Sequence, residues 1–275
     1  MAGRRFQNSL FWLALAVAGS ALFSGNVMRA AGAGAEPSRL DPLLDRTEAR
    51  VKASLAQISD VECYETVLQA KFAKNGKVEY KENSRFDYVV LFQSPSGEPV
   101  MVESRLAKEG PNKPKNIPLL LTNGFSTLLL IFHPYYAAGF QFTDLGEETV
   151  DGRVCVKVHF QHIKGLRSTT ALLLGGREYP LDLQGTALIE KSSGRVFKIE
   201  AALESSMEDV GLRSLETEVE YAPVSFQGTT QPYWLPTVAT IEVESVHQHW
   251  RNEHRFTAYH LFETSVKEQI GTTKP

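Results

Sequence analysis

From Val154 to Val243 the chain keeps returning to a side-chain period of two, and no other feature limits its fold so tightly. In "VCVKVHF", Val154, Val156, Val158 and Phe160 share one face, while Cys155, Lys157 and His159 share the other. Phe197, Ile199, Ala201 and Leu203 follow the turn "SSG" at 192–194 in the same rhythm. Leu215, Thr217, Val219 and Tyr221 stand opposite Glu216, Glu218 and Glu220, and Ile241 and Val243 alternate with Glu242 and Glu244. One apolar and one wet face, with short turns between segments, is the pattern of an antiparallel meander packed on one side. Such a set of twisted strands curls towards a barrel rather than staying flat.

The first half shows the same pattern after a helix. Asp41 and Pro42 read as a cap and a first helical residue. Leu40, Leu44, Val51, Leu55 and Ile58 then recur at helical spacing, away from Glu48, Arg50 and Lys52, which predicts a helix over 41–58. In "YETVLQAKF", Tyr64, Thr66, Leu68, Ala70 and Phe72 alternate with Glu65, Gln69 and Lys71. The Asn-Gly pair in "KNGK", 74–77, supplies a hairpin turn. Further strands are expected over 78–92 and 99–107. The fold class is α+β and mainly antiparallel β: a curved half-open barrel of about 10–11 strands, its concave face covered by two helices.

Residues 1–35 have Arg4 and Arg5, an uncharged apolar run from Leu10 to Phe23, and small residues in "AAGAGA". This is the layout of a secretory signal peptide, with cleavage expected near Ala33–Ala35 and a single domain over 36–275. An exported, periplasmic location follows. Three of the 29 Lys and Arg residues (Arg4, Arg5 and Arg29) lie in the leader and all 32 Asp and Glu follow it, so the remainder carries a net charge of −6. That sign gives no electrostatic reason to bind nucleic acid. Cys63 and Cys155 are 92 positions apart with no CxxC, and sequence alone leaves a disulfide between them open. Both fall on the polar phase of their strands, and a simple meander would set about three strands between them.

"LLLTNGFSTLLLIFHPYY", 119–136, is the most apolar stretch after the leader. Its uninterrupted parts are too short to span a bilayer, and Pro118, Asn123, Gly124 and Pro134 break it further. A helix of about three turns is expected between Thr122 or Asn123 and Pro134. It is apolar nearly all round, as a helix buried on every side would be. It either fills the core or lines part of a cavity. Leu121, Phe125, Leu128, Leu129, Phe132, Tyr135, Tyr136 and Phe140, with Trp234 from the sheet, are the candidate lining.

Catalytic signatures do not emerge. "NGFST" lacks the second glycine of a nucleophile elbow, and neither a phosphate-binding glycine loop nor HExxH occurs. The acidic residues of the strands are expected on solvent faces. If Arg251 and Asn252 form a turn, His249 lies opposite His254 and His247 opposite Phe256, but two imidazoles fall short of the three ligands usual for a catalytic zinc. No catalytic residue, metal or cofactor is assigned, and the chain is not read as an enzyme.

The strand sequences "GTALIEKSSGRVFKIE", "EVEYAPVSF", "YWLPTVATIEVE" and "NEHRFTAYHLF" resemble the C-terminal strands of the LolA-like superfamily of outer-membrane lipoprotein-sorting proteins, and especially its uncharacterised exported bacterial members. The resemblance runs over about residues 40–265. It implies a helix-lidded half-barrel that accepts acyl chains of lipids or lipoproteins, working as a monomer with an envelope membrane protein as a further partner. Two departures stand out: no lipid-attachment cysteine precedes Cys63, and the carriers' ligand-gating polar residues have no match here. The segment "GLRSTTALLLGGREYPL", 165–181, is expected to form an extra strand or a lid loop. The alternative function is a structural or envelope protein-interaction module with a filled core and no ligand.

Overall fold

The structure is a computed structural model. It describes residues 40–94, 97–107, 126–174 and 177–262; the leader, Leu121 and Phe125 lie outside them. Helix α1 (Asp41–Ile58) is followed by β1 (Val61–Phe72), β2 (Val78–Gln93) and β3 (Val100–Ala107). A 3₁₀ segment (Ser126–Phe132) and the single-turn α2 (Pro134–Ala137) lead into β4 (Phe140–Val150) and β5 (Arg153–His162). A small hairpin, β6 (Ala171–Leu174) and β7 (Arg177–Pro180), precedes β8 (Leu183–Glu190) and β9 (Val196–Leu203). The chain continues through β10 (Leu212–Val224), β11 (Tyr233–Ser245) and β12 (His249–Leu261).

Ten strands form one antiparallel sheet in the order β3-β2-β1-β12-β11-β10-β9-β8-β5-β4. The expected half-open architecture is present: β3 and β4 are the two edges, and the sheet does not close. The first and last strands pair from Val61↔Leu261 to Phe72↔His249, as the third and fourth strands of the ten. Segment 165–181 contributes the β6–β7 hairpin, a separate two-stranded sheet.

Coiling comes from identifiable places. Extra residues interrupt the register at Glu62/Tyr64, Asp144/Glu147 and Glu220/Tyr221, and each such bulge bends and twists its strand. Pro236 sits beside the last of these, where a residue without an amide hydrogen is tolerated. At Gly185 a Cβ would lie 1.9 Å from the Glu200 carbonyl and 2.8 Å from the Phe160 ring, so only glycine permits the close approach of β8 to β9 and its cover.

Helix α1 spans the residues predicted for it. Leu40 occupies the cap without a side-chain bond, so Asp41 sits one position later than expected, in the first turn, where its charge favours the helix dipole. The buried stripe is Leu43, Thr47, Val51, Leu55 and Ile58; Leu44 stays half-buried at one flank. The opposite flank is bolted to the β8–β9 turn. Arg46 Nη2 donates to the Lys191 carbonyl at 2.9 Å and Arg50 Nε to that of Ser193 at 3.2 Å. Gly194 completes the joint with φ 74° and no room for a side chain, since a Cβ would stand 2.8 Å from Arg46 C and Thr47 N.

Four expectations are corrected. The buried phase of β1 is Val61, Cys63, Glu65, Val67 and Gln69, the reverse of the reading from hydropathy. Its two polar members lie inside because partners on neighbouring strands meet them there. "WRNEH" is strand, not turn: the hairpin bends at 246–248, where the Ser245 hydroxyl accepts from the His247 and Gln248 amides at 3.3 and 3.0 Å. His249 therefore pairs with Glu244 and His254 with Ala239, on opposite faces of β12. The helix expected before Pro134 is, in its described part, a 3₁₀ segment, and Pro134 opens α2, capped by His133 Nδ1 accepting from the Tyr135 amide at 3.2 Å. Cys63 and Cys155 are both buried and free, not on a polar surface, and five strands (β12, β11, β10, β9 and β8) separate β1 from β5.

The Gly194 joint gives a direct test against a control turn. Gly76 also has positive φ, 77°, but open space around it. Gly76→Ala should cost about 1–2 kcal/mol, the left-handed penalty alone. Gly194→Ala should cost at least about 1 kcal/mol more, because α1 must also move. Urea unfolding of both variants measures the difference.

Candidate ligand-binding cleft

β3 and β4 lie at opposite sheet edges, and the described part of the connection between them is the apolar 3₁₀ segment and α2. Leu128 to Phe132 are all buried, Leu130 and Ile131 completely, as the all-round apolar pattern requires. Tyr136 is fully buried, and its hydroxyl reaches towards the Pro99 carbonyl at 3.4 Å, just before β3. The cover thus touches α1 on one side and the start of β3 on the other.

Between α1, this cover and β4 lies an open cleft of about 420 Å³. Its floor is aromatic. Phe132 and Phe142 stack with ring centroids 5.5 Å apart, and Phe140 and Phe160 close the cluster edge-to-face at 6.2 Å. Leu44, Pro134, Ala137 and Ala138 add apolar wall. The rim is acidic: Asp41, Asp45 and Glu48 project from one stripe of α1. His133 adds no charge nearby, because burial and the neighbouring Lys52 hold its ring below the usual histidine range. The volume lies within the range of small-molecule sites, about 300–1,000 Å³. Aromatic rings with a wet entrance suit an alkyl chain whose polar end stays outside.

The sequence-derived lining disperses over three places. Phe132 and Phe140 line the cleft. Leu128, Leu129 and Tyr136 are buried in the cover, and Tyr135 stacks under the Arg167 guanidinium, 4.0 Å from the ring centroid. Trp234 anchors the other end of the sheet, donating its indole N–H to the Val196 carbonyl at 2.5 Å and packing on Phe197. Leu121 and Phe125 lie outside the described residues. Sequence reasoning missed Leu44, Asp45 and Phe142. Phe142 was findable, two residues from Phe140 and hence on the same face of β4.

A second pocket, about 550 Å³, lies on the outer face of β8 to β12 and is lined by polar groups such as Thr186, Glu200, Glu218, Thr240 and Arg251. It is larger but offers no apolar floor. Among the described residues no group of three or more His, Cys, Asp or Glu is placed to hold a metal ion.

The interior also contains a charge network that hydropathy had assigned to solvent. Glu65 on β1 is fully buried. Arg105 on β3 reaches across β2, donating from Nε and Nη2 to the two Glu65 carboxylate oxygens at 2.5 and 2.8 Å. Its guanidinium lies 5.0 Å above the Tyr88 ring. Glu103 takes a longer contact from the same guanidinium at 3.4 Å, and its side chain is 2 % exposed. From β12, His254 Nδ1 donates to Glu65 Oε1 at 2.7 Å. Burial alone would lift the Glu65 carboxyl, but hydrogen bonds from His254 and Arg105 and the Arg105 charge outweigh it and hold it below the usual range. Burial pushes His254 down against the pull of Glu65, so the ring is neutral. The adjacent Cys63 thiol is pushed up by burial to about 12 and is inert as a nucleophile.

No protein-family model matches the chain, and no curated protein matches it. Solved structures do. A DUF1329 family protein from Desulfovibrio piger is 13% identical with a TM-score of 0.40, covering 82% of this chain and 94% of its own. A putative outer membrane lipoprotein-sorting protein domain from Vibrio parahaemolyticus is 11% identical, with the same TM-score and coverage. A LolA superfamily protein from Nitrosomonas europaea is 12% identical with a TM-score of 0.35, covering 78% of this chain and 94% of its own.

The buried network sets an expected acid response. Both Glu65 and His254 have depressed values in the folded state, so each stabilises the fold above its unfolded pKa and loses that contribution as pH falls. The loss should begin below about 6.5, where an unfolded histidine gains its proton, and steepen below about 4.3 for the carboxyl. Urea midpoints should therefore fall between pH 7.5 and 4.5, and His254→Asn should flatten the upper part of that fall. Glu65→Gln should cost about 3–5 kcal/mol at pH 7, because it leaves Arg105 buried without its main counter-charge.

Proposed function

We propose that the protein is a non-enzymatic, exported carrier or binding protein that holds the acyl chain of a lipid or lipoprotein in the cleft between α1, the 3₁₀ segment and β4. The observation that carries this reading is the floor of stacked phenylalanines, Phe132, Phe140 and Phe142, reached through an open mouth. Phe132 and Phe140 form the buried base, and the half-buried Phe142 keeps part of its ring in water, at a cost of about 25 cal/mol for each Å² an occupant would cover. The resemblance of the strand sequences to lipoprotein-sorting proteins supports the same chemistry, and the leader-like first 35 residues support work in the periplasm. An envelope protein that delivers or receives the acylated cargo would be the natural partner of such a carrier.

A second reading, a filled structural or protein-interaction module, draws on the complete burial of Leu130 and Ile131. On that reading the cover is permanent core and nothing enters beside it. Titration with a nonionic alkyl glycoside, kept below its micelle concentration, separates the two. The carrier reading expects saturable calorimetric binding, weakened at least about tenfold by Phe142→Asp or by Leu44→Ser with the circular dichroism spectrum unchanged. The filled-module reading expects no saturable heat in the unaltered protein.

A further inference from the structure

We infer that the occupant of the cleft is an amphiphile with a positively charged head, such as an ammonium group on an alkyl chain. This rests on the acyl-binding reading and adds the identity of the head. Helix α1 sets Asp41, Asp45 and Glu48 at positions i, i+4 and i+7, which places three carboxylates along one stripe above the mouth. Among the described residues no lysine or arginine lines the cleft. The described cations of the neighbourhood are committed elsewhere. Arg46 and Arg50 are tied to carbonyls of the β8–β9 turn on the far flank of α1. Arg167 is held over the Tyr135 ring. Lys52 reaches Glu48 at 3.3 Å, but both side chains are well exposed, so the pair is weak and exchangeable. Asp45 is exposed and has no ion-pair partner among the described residues.

The floor favours the same ligand. The half-buried Phe142 ring, stacked on the buried Phe132, lies just inside the rim, where its electron-rich face attracts a cation and repels an anion. An alkyl chain lying on the phenylalanines leaves its head beside Asp45 and Glu48. There an ammonium group meets two carboxylates and the electron-rich face of a ring, and a sulfate or phosphate monoester head meets repulsion from all of them. Charge complementarity therefore commits the cleft to a cationic head.

The test uses the whole protein and three probes of equal chain length, each below its micelle concentration: dodecyltrimethylammonium, dodecyl maltoside and dodecyl sulfate. At low salt the cationic probe should bind about tenfold more tightly than the anionic one, with the nonionic probe between them. The preference should shrink as salt is raised. Asp45→Asn/Glu48→Gln should remove most of the difference between the cationic and anionic probes, and Asp45→Lys should bring the anionic probe level with or ahead of the cationic one. Equal binding of all three, or a preference for the sulfate, would overturn the inference and leave acyl binding intact. If none of the three binds, the acyl-binding reading falls and this inference falls with it.

Discussion

The Glu65–Arg105–His254 contact is the constraint on which the sheet depends. Most strands of this sheet touch only their neighbours in chain order, and hairpins hold them together one at a time. The pairing of β1 with β12 is different, since it joins segments nearly 200 positions apart (His254 to Glu65 spans 189). Loop closure over that distance has to be repaid by contacts that only the closed arrangement makes. A buried carboxylate gripped from β3 and β12 at once is such a contact. It is satisfied in this register and orphaned in a slipped one, where a shift by one residue would turn Glu65 to solvent and strand the arginine.

With the first and last strands joined inside the sheet, its edges fall on β3 and β4. The described part of the connection between those edges packs under α1, and its apolar run from Leu128 to Phe132 is buried there. Helix α1 fills the remainder of the concavity and is fastened to the β8–β9 turn through one flank by Arg46, Arg50 and Gly194. Its other flank, bearing Leu44, Asp45 and Glu48, faces the cleft. The proposed site is thus a by-product of how the cover is attached.

Much of the fold was legible in the sequence. The period of two in β10, in β11 and in β5 from Val156 onward, the helix over 41–58 and the crossover's all-round apolarity each have one physical meaning, and each is met; at the start of β5 Val154 is exposed and Cys155 buried, the reverse of the expected alternation. The failures share a cause. The buried side of β1 was assigned to water because Glu65 and Gln69 are polar, and hydropathy cannot see that Arg105 and His254 stand ready on strands far away in sequence. Asn252 looked like a turn residue for the same reason: its side chain is buried in mid-strand. The candidate site was half legible. Phe132 and Phe140 could be marked as apolar, but whether an apolar residue faces dense packing or a cleft is decided by which flank of α1 is tied down. Trp234, which looked like lining, instead anchors the sheet near the β8–β9 turn.

The account's central claim is the location of the alkyl chain, and one measurement addresses it directly. A nonionic alkyl probe carrying a nitroxide near its chain end, added to protein with isotope-labelled phenylalanine, will broaden the NMR signals of rings it approaches. The claim requires selective loss of the Phe132, Phe140 and Phe142 ring signals, with Phe197 and Phe256 preserved. Broadening spread evenly over all the phenylalanines, or loss of the Phe197 and Phe256 signals with the three cleft rings preserved, would contradict it.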